Sequence, residues 1–359
     1  MDLQSALEGS TADSVVVRAL PEHDAWIFIV LDDLRCEAAV GGTRLQTYSS
    51  PADGLQDAGR LAQGMTFKWA ALGEPVGGAK GVIALARPVE GAERITVLQR
   101  YGELVEGLGG RFGTGPDLGI TTDDLRVIAS RTGHVHGVRS DGTVVEAAPF
   151  TAHGVLTSIE VALEFLGRGG LRGRSIWVEG VGSVGGILAR RLAEAGARVF
   201  ISDLDEERAA AIAEEIGGEW IRGADGVELP LDVYAPCAVG GTIDRSSAAR
   251  LAARIVAGAA NNVLADPESG HRLAERGVLY CPDFVVNGGG AVGVRRLTLG
   301  ETDPEAIFEA VSQIGPRLQD LLERGARESR PPFEVAIQDV EDRLQARVRG
   351  PRGEEPLAR

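Results

Sequence analysis

Of the 37 Lys plus Arg in this 359-residue sequence, only Lys68 and Lys80 are lysines, and they lie close together in an apolar, glycine-rich stretch. Arginine serves as a surface charge as well as lysine does, but it does not give up its proton at accessible pH. A chain otherwise emptied of lysine keeps it where a dissociable ammonium is needed. Chance survival is the bland alternative, and the clustering argues for a site. Lys68 stands among Met65, Phe67, Trp69 and Ala70, where a buried ammonium requires an anionic partner: a substrate carboxylate, or one of the chain's own acids in a structural salt bridge. Lys80 follows Val76-Gly77-Gly78-Ala79. Those glycines permit close ligand approach, and partial burial together with a second cation at Lys68 would lower its pKa toward that of a general base. Asp117, in Gly115-Pro116-Asp117, is flanked by turn residues, and on its own it reads more simply as a turn aspartate than as a proton carrier.

A second constellation is Gly180-Val181-Gly182-Ser183-Val184-Gly185-Gly186, which follows the apolar run SIWVE and opens an Ala/Leu-rich helix, with Asp203 ending the next strand. In such a turn the first glycine allows the bend, the second lets a pyrophosphate approach the backbone, and the third lets helix and strand pack closely, with the phosphates at the helix N-terminus. Asp203 would accept hydrogen bonds from the adenosine ribose and repel a 2′-phosphate, which favours NAD over NADP. Gly-rich turns also serve packing alone, and it is the strand, helix and terminal acid together that point to a dinucleotide.

Positioning these residues calls for an α/β fold of two domains. Strands are expected at SVVVRAL (14–20) and AWIFIVL (25–31), a helix over 52–72, a loop EPVGGAK (74–80), a short strand GVIALA (81–86), a helix over 95–108 and a polar helix opening at Thr121-Thr122-Asp123. Residues 131–149 lack sustained periodicity and mark the domain boundary. From Thr151 a helix leads into strand, turn, helix and strand within about 30 residues, the size of a βαβ unit. Further strands at 231–238, 254–260 and 277–282 make the second domain a parallel sheet. Ile307, Val311, Ile314, Leu318 and Leu321 keep helical spacing, a final helix starts at Pro331-Pro332, and the last residues read as a flexible tail.

Composition excludes several classes of partner. A net charge of −15 and a pI near 4.9 repel nucleic-acid phosphates and anionic lipid. No apolar run approaches the roughly 18 residues of a membrane span, and the N-terminus lacks a signal-peptide layout, so a cytoplasmic protein is expected. Cys36, Cys237 and Cys281 are widely spaced, suggest no disulfide framework, and are expected to be buried thiols. His134 and His136 have no third ligand nearby, and no metal is expected.

Gly41-Gly42-Thr43-Arg44, Gly64-Met65-Thr66-Phe67-Lys68, Gly77-Gly78-Ala79-Lys80, Asp117, Pro149-Phe150-Thr151, the glycine turn, Tyr234-Ala235-Pro236-Cys237-Ala238, Ala257-Gly258-Ala259-Ala260-Asn261-Asn262 and Pro282-Asp283-Phe284-Val285-Val286-Asn287 resemble, in order, the motifs of the Glu/Leu/Phe/Val dehydrogenases. The resemblance implies an N-terminal α/β substrate-binding and oligomerisation domain (1–140), a Rossmann-type NAD-binding domain (141–330) with a cleft between the two, a helix over 331–348 packing back on the first domain, and a tail at 349–359. It implies oxidative deamination of an L-amino acid to a 2-oxo acid and ammonia by a homo-oligomer. Lys68 and Gly42 would bind the substrate, Lys80 would activate the attacking water and Asp117 would move a proton at the amino group. Thr151 would hold the nicotinamide amide and Asn262 would stand where cofactor and substrate meet. The lack of a third lysine argues against glutamate. A side-chain pocket of Val40, Gly115, Ala291 and Val294 would be small-walled, and the Thr-Gly-Pro-Asp segment looks more like the phenylalanine branch than the leucine or valine branch. Gly81 and Gly288 depart from the family pattern and would loosen walls near the ligands, either admitting a bulkier substrate such as tryptophan or marking a specialised homologue of low general activity; the competing reading from another class is a non-catalytic NAD-binding protein that keeps the fold.

Overall fold

The computed structural model describes residues 2–36, 38–139 and 142–349. They divide into two units: residues 2–145 with 297–300 and the described residues from 340 onward, and residues 146–296 with 301–339.

The first unit runs α1 (Leu3–Glu8), β1 (Ser14–Leu20), β2 (Ala25–Leu31), β3 (Ala39–Thr47), α2 (Pro51–Leu72), β4 (Gly77–Leu85), α3 (Gly91–Glu106), β5 (Phe112–Pro116) and α4 (Thr122–Ala129). Its five-stranded sheet has the order β1-β2-β4-β3-β5, antiparallel along β1-β2-β4 and parallel along β4-β3-β5. In β2 the side chains alternate between two cores. Ile27, Ile29 and Leu31 join Leu98, Tyr101 and Phe112 on one face, while Phe28 and Val30 join Leu55, Ala58 and Ala62 of α2 on the other. Helix α2 starts where the Ser50 side chain accepts the Asp53 N–H with Pro51 in the first turn, and it stops at Gly73 in the left-handed region.

The second unit contains α5 (Ala148–Phe165), β6 (Ser175–Glu179), α6 (Ser183–Glu194), β7 (Arg198–Ser202), α7 (Glu206–Ile216), β8 (Glu219–Trp220), the single turn α8 (Gly223–Gly226), β9 (Val233–Pro236), α9 (Arg245–Arg250), β10 (Ile255–Val256), α10 (Pro267–Glu275), β11 (Leu279–Tyr280), the short α11 (Asp283–Val286), α12 (Gly289–Thr298) up to residue 296, α13 (Pro304–Ser312), α14 (Ile314–Glu328) and the start of α15 (Pro332–Arg349), whose residues from 340 onward belong to the first unit. Its parallel sheet has the order β8-β7-β6-β9-β10-β11, the doubly wound Rossmann arrangement whose direction of winding reverses at β6. Ile176, Val178 and Ile201 pack with Leu188 and Leu192 of α6 on one face, and Trp177, Phe200 and Tyr234 fill the other.

Several expectations need correcting. Gly77–Lys80 is not a loop but the first half of β4, whose nine residues are all buried. A strand covered on both faces has no polar alternation to betray it. Strands β3 and β5 were not anticipated, because glycines dilute their patterns. Helix α5 begins at Ala148, three residues before Thr151, with Pro149 in its first turn. The helical spacing over 307–321 belongs to two helices, α13 and α14. Of the cysteines only Cys281 is buried, Cys36 and Cys237 being half-buried. The flexible tail lies, from residue 350, outside the described residues. Among the described residues no helix is long and apolar enough to cross a membrane.

Candidate active site

Strand register assembles the first site. Gly42 of β3 is paired with Gly115 of β5 and Thr43 with Pro116, while β3 runs against β4 in the register Thr43 to Gly81. Alternate residues of a strand share a face, so Gly42 and Arg44 of β3 stand with Gly115 and Asp117 on one side and Lys80 on the other. The Lys80 ammonium lies 2.9 Å from Asp117 Oδ2. A side chain at Gly42 would meet the Pro116 carbonyl at 2.7 Å and the Lys80 nitrogen at 3.3 Å, so only glycine fits beside the pair. Lys68 is half-buried on α2. The α2 backbone at Thr66 comes so close to β4 at Gly78 that a Cβ there would sit 2.0 Å from the Thr66 nitrogen, and each lysine follows that crossing by two residues. Trp69 fixes the neighbourhood by donating its indole N–H to the Val40 carbonyl at 2.9 Å.

Burial of Lys80, 5% exposed, disfavours its ammonium and holds its pKa below the ordinary lysine range against the opposing pull of Asp117. Burial alone would raise Asp117, but the charges and hydrogen bonds of Lys80 and Arg44 outweigh it and leave the carboxyl below the usual range. Arg44, which sequence reasoning left without a role, donates from Nε to the same Oδ2 at 2.9 Å and from Nη1 to Asp57 on α2 at 2.9 Å. The Tyr48 hydroxyl donates to Asp57 at 2.7 Å, and Arg60 Nη2 donates to its other oxygen at 2.7 Å. The available signal was its place in Gly41-Gly42-Thr43-Arg44, one of the motifs on which the family resemblance rests.

The expectation that Gly81 loosens a wall is corrected. A Cβ at Gly81 would lie 2.1 Å from the Tyr101 hydroxyl, which accepts from Thr43 at 2.7 Å and shares a hydrogen bond with Thr114 at 2.9 Å. All four residues are buried, and the space is filled from α3. By contrast a Cβ at Gly115 would meet nothing nearer than His136 at 3.7 Å.

The second unit carries the glycine turn. Gly180 has φ +89°, a conformation suited to glycine. A Cβ at Gly185 would lie 1.9 Å from the Gly180 carbonyl oxygen, whereas one at Gly182 would meet nothing within 4 Å. Gly182 caps the twelve-residue α6 with no side-chain cap bond, and Ser183 and Val184 form its first turn. The cradle therefore fits a phosphate-bearing group. Asp203 lies one residue beyond β7, and its carboxylate is already engaged. It accepts the Val181 N–H at 2.8 Å and the Asp205 N–H at 3.0 Å, and it pairs with Arg208 at 2.7 Å. Beside it Leu204 is fully exposed. The Thr151 hydroxyl donates to the Ala147 carbonyl at 3.1 Å, and Thr151 packs against Gly290, where a Cβ would lie 2.4 Å from its oxygen. Asn262 is exposed in a turn with φ +52°. Ala291 is half-buried and Val294 buried on α12, and Gly288 is buried just before that helix. Among the described residues no group of three His, Cys, Asp or Glu is placed to hold a metal.

Comparison with known proteins identifies the family. Residues 26–134 match the "Glu/Leu/Phe/Val dehydrogenase, dimerisation domain" family and residues 201–295 match "Glutamate/Leucine/Phenylalanine/Valine dehydrogenase". The chain is 32% identical over 347 residues to a leucine dehydrogenase of Geobacillus stearothermophilus, covering 96% of this chain and 94% of that one. It is 32% identical over 315 residues to a phenylalanine dehydrogenase of Lysinibacillus sphaericus, covering 86% and 82%. The crystal structure of L-tryptophan dehydrogenase from Nostoc punctiforme superimposes with a TM-score of 0.82 at 32% identity, covering 97% of this chain and all of that one. With both of its units matched and relatives aligned over nearly its whole length, the chain belongs to the Glu/Leu/Phe/Val dehydrogenase family, as an amino acid dehydrogenase.

Proposed function

We propose that the chain catalyses the reversible reaction in which an apolar or aromatic L-amino acid, NAD⁺ and water give a 2-oxo acid, ammonium, NADH and a proton. The observation that carries this reading is the pairing of buried Lys80 with half-buried Asp117 beside Gly42, where no side chain fits. The glycine turn would hold NAD, which would supply the hydride acceptor for the substrate Cα. Lys68 binds the α-carboxylate as a point charge. Lys80, once it has shed its proton, takes one from the water that attacks the imine carbon, and Asp117 carries protons to and from the departing nitrogen. The glycine turn at 180–186 holds the pyrophosphate, Thr151 the nicotinamide amide, and Asn262 stands beside the reacting groups. The dimerisation description of the matched first unit supports a homo-oligomer.

Phenylalanine is the proposed best substrate, supported by the room at Gly115, where an added methyl would make only ordinary contact with His136 at 3.7 Å. Leucine is the second reading, supported by the leucine dehydrogenase relative. The test is NADH formation by the purified protein with NAD and L-phenylalanine, tyrosine, tryptophan, leucine, valine or glutamate. Aromatic substrates ahead of leucine and valine sustain the first reading, and the reverse order selects the second. Silence on all of them, with NADH still bound, overturns both.

NAD rather than NADP is proposed from Asp203, and Arg208 sharpens the test because it stands ready to pair with a 2′-phosphate once Asp203 is removed. Asp203→Ser is expected to narrow the ratio of kcat/KM for NAD over NADP by about tenfold or more, the equivalent of about 1.4 kcal/mol. Unchanged discrimination would remove Asp203 from cofactor selection.

A further inference from the structure

Two cations converge on one oxygen of Asp117. Lys80 Nζ and Arg44 Nε each lie 2.9 Å from Oδ2, and among the described residues no donor reaches Oδ1. Arg44 is itself held from the far side by Asp57, which the Tyr48 hydroxyl and Arg60 hold in turn. The guanidinium is a planar fork whose Nε and Nη1 are spent on two different carboxylates, a geometry that an ammonium cannot reproduce. We propose that Arg44 is a positioning residue for the deamination: anchored on Asp57, it turns Asp117 so that Oδ2 faces the two cations and Oδ1 is left to the substrate's amino group. The inference rests on the reaction proposed above.

Three consequences separate this role from a merely structural ion pair. The first is orientation, since without the clamp the carboxylate rotates about its own bond and is seldom aimed at the amine, and misplacement of about an ångström costs on the order of 100-fold. The second is protonation. The charged groups acting on Lys80 and Asp117, besides each other, are Arg44 on β3 and, on Lys80, Asp57 on α2, while the Tyr48 hydroxyl and Arg60 are bonded to Asp57. Arg44 favours the Asp117 carboxylate and disfavours the Lys80 ammonium, so its loss raises both pKa values. Both groups then keep their protons to higher pH, and the acid limb of kcat/KM moves upward. The third is that removing Asp57 leaves the cation but loosens its anchor, which costs rate without that upward movement.

The experiment compares full-length wild type, Arg44→Met, Arg44→Lys and Asp57→Asn for kcat, KM and the pH profile of kcat/KM on the best amino acid, with NADH titration and thermal melting alongside. Arg44→Met is expected to lose about 10- to 100-fold in kcat with a smaller change in KM, an acid limb at higher pH and unchanged NADH affinity. Arg44→Lys is expected to return the limb to its wild-type position while recovering only part of kcat, and Asp57→Asn to lose kcat with no upward shift. Should Arg44→Met fail to fold, the Lys and Asn variants decide on the same terms. Wild-type kcat and limb in both of those variants, or in Arg44→Met, would overturn the inference with the proposed reaction left standing. A wild type silent on every amino acid would overturn the two together.

Discussion

Lys80→Arg is expected to lower kcat by about 1,000-fold or more while leaving NADH binding within twofold of wild type, as a positioned general base contributes on the order of 10²–10⁴ in rate. The substitution keeps a cation beside Asp117, so any loss cannot be assigned to an orphaned carboxylate. What changes is that the guanidinium does not release its proton. Lys80→Met is the companion, because Asp117 keeps its bond to Arg44 without Lys80 and the strand remains buried. The pH profile gives the sign. Lys80 acts in its neutral form, so wild-type kcat/KM rises with pH as the ammonium dissociates, over a range below that of an ordinary lysine because burial disfavours the charged form. That limb is expected to vanish in Lys80→Arg. Turnover within tenfold of wild type, with the limb in place, would mean that another group is the base.

The sequence made the two lysines conspicuous through composition and the glycine turn through its setting between strand and helix. Strands β1 and β2 were legible because Val, Ile and Phe recur there between turn signals. Strands β3 and β5 were not, because Gly41, Gly42, Gly113 and Gly115 remove the apolar marks on which a pattern reading depends. What the glycines of β4 and β5 do is set by neighbours: the α2 backbone against Gly78, the Tyr101 hydroxyl against Gly81 and no more than ordinary contact with His136 at Gly115. The same reasoning hid Arg44. Its partnership with Asp117 depends on the register that sets Gly42 opposite Gly115, and no spacing along the chain encodes the pairing of strands that α2, β4 and α3 separate. Asp203 shows the converse: its position after β7 was legible, but its bonds to Val181 and Arg208 were visible only in three dimensions.

Gly115→Ala is expected to move substrate preference from aromatic toward aliphatic amino acids without disturbing the fold. The added methyl would meet only the His136 Cβ and carbonyl oxygen at 3.7 Å, an ordinary contact, so no backbone or side chain has to give way. Its effect falls on the space that Gly115 leaves open. One methyl in an apolar pocket is worth about 1–3 kcal/mol, or 10- to 200-fold, and the charge is greatest for the largest guest. With Gly115 on the pocket wall, kcat/KM for phenylalanine and tryptophan falls by that factor while leucine and valine hold or improve, and Tm stays at the wild-type value. Gly113→Ala supplies the contrast from the same face of β5. Its Cβ would lie 2.1 Å from His136 Nε2, so it overpacks the strand, costs about 1–3 kcal/mol of stability and lowers activity on all substrates alike. A Gly115→Ala protein with wild-type Tm and unaltered ratios among the six amino acids would remove Gly115 from the pocket, and with it the structural argument for an aromatic substrate, leaving leucine as the better-supported reading.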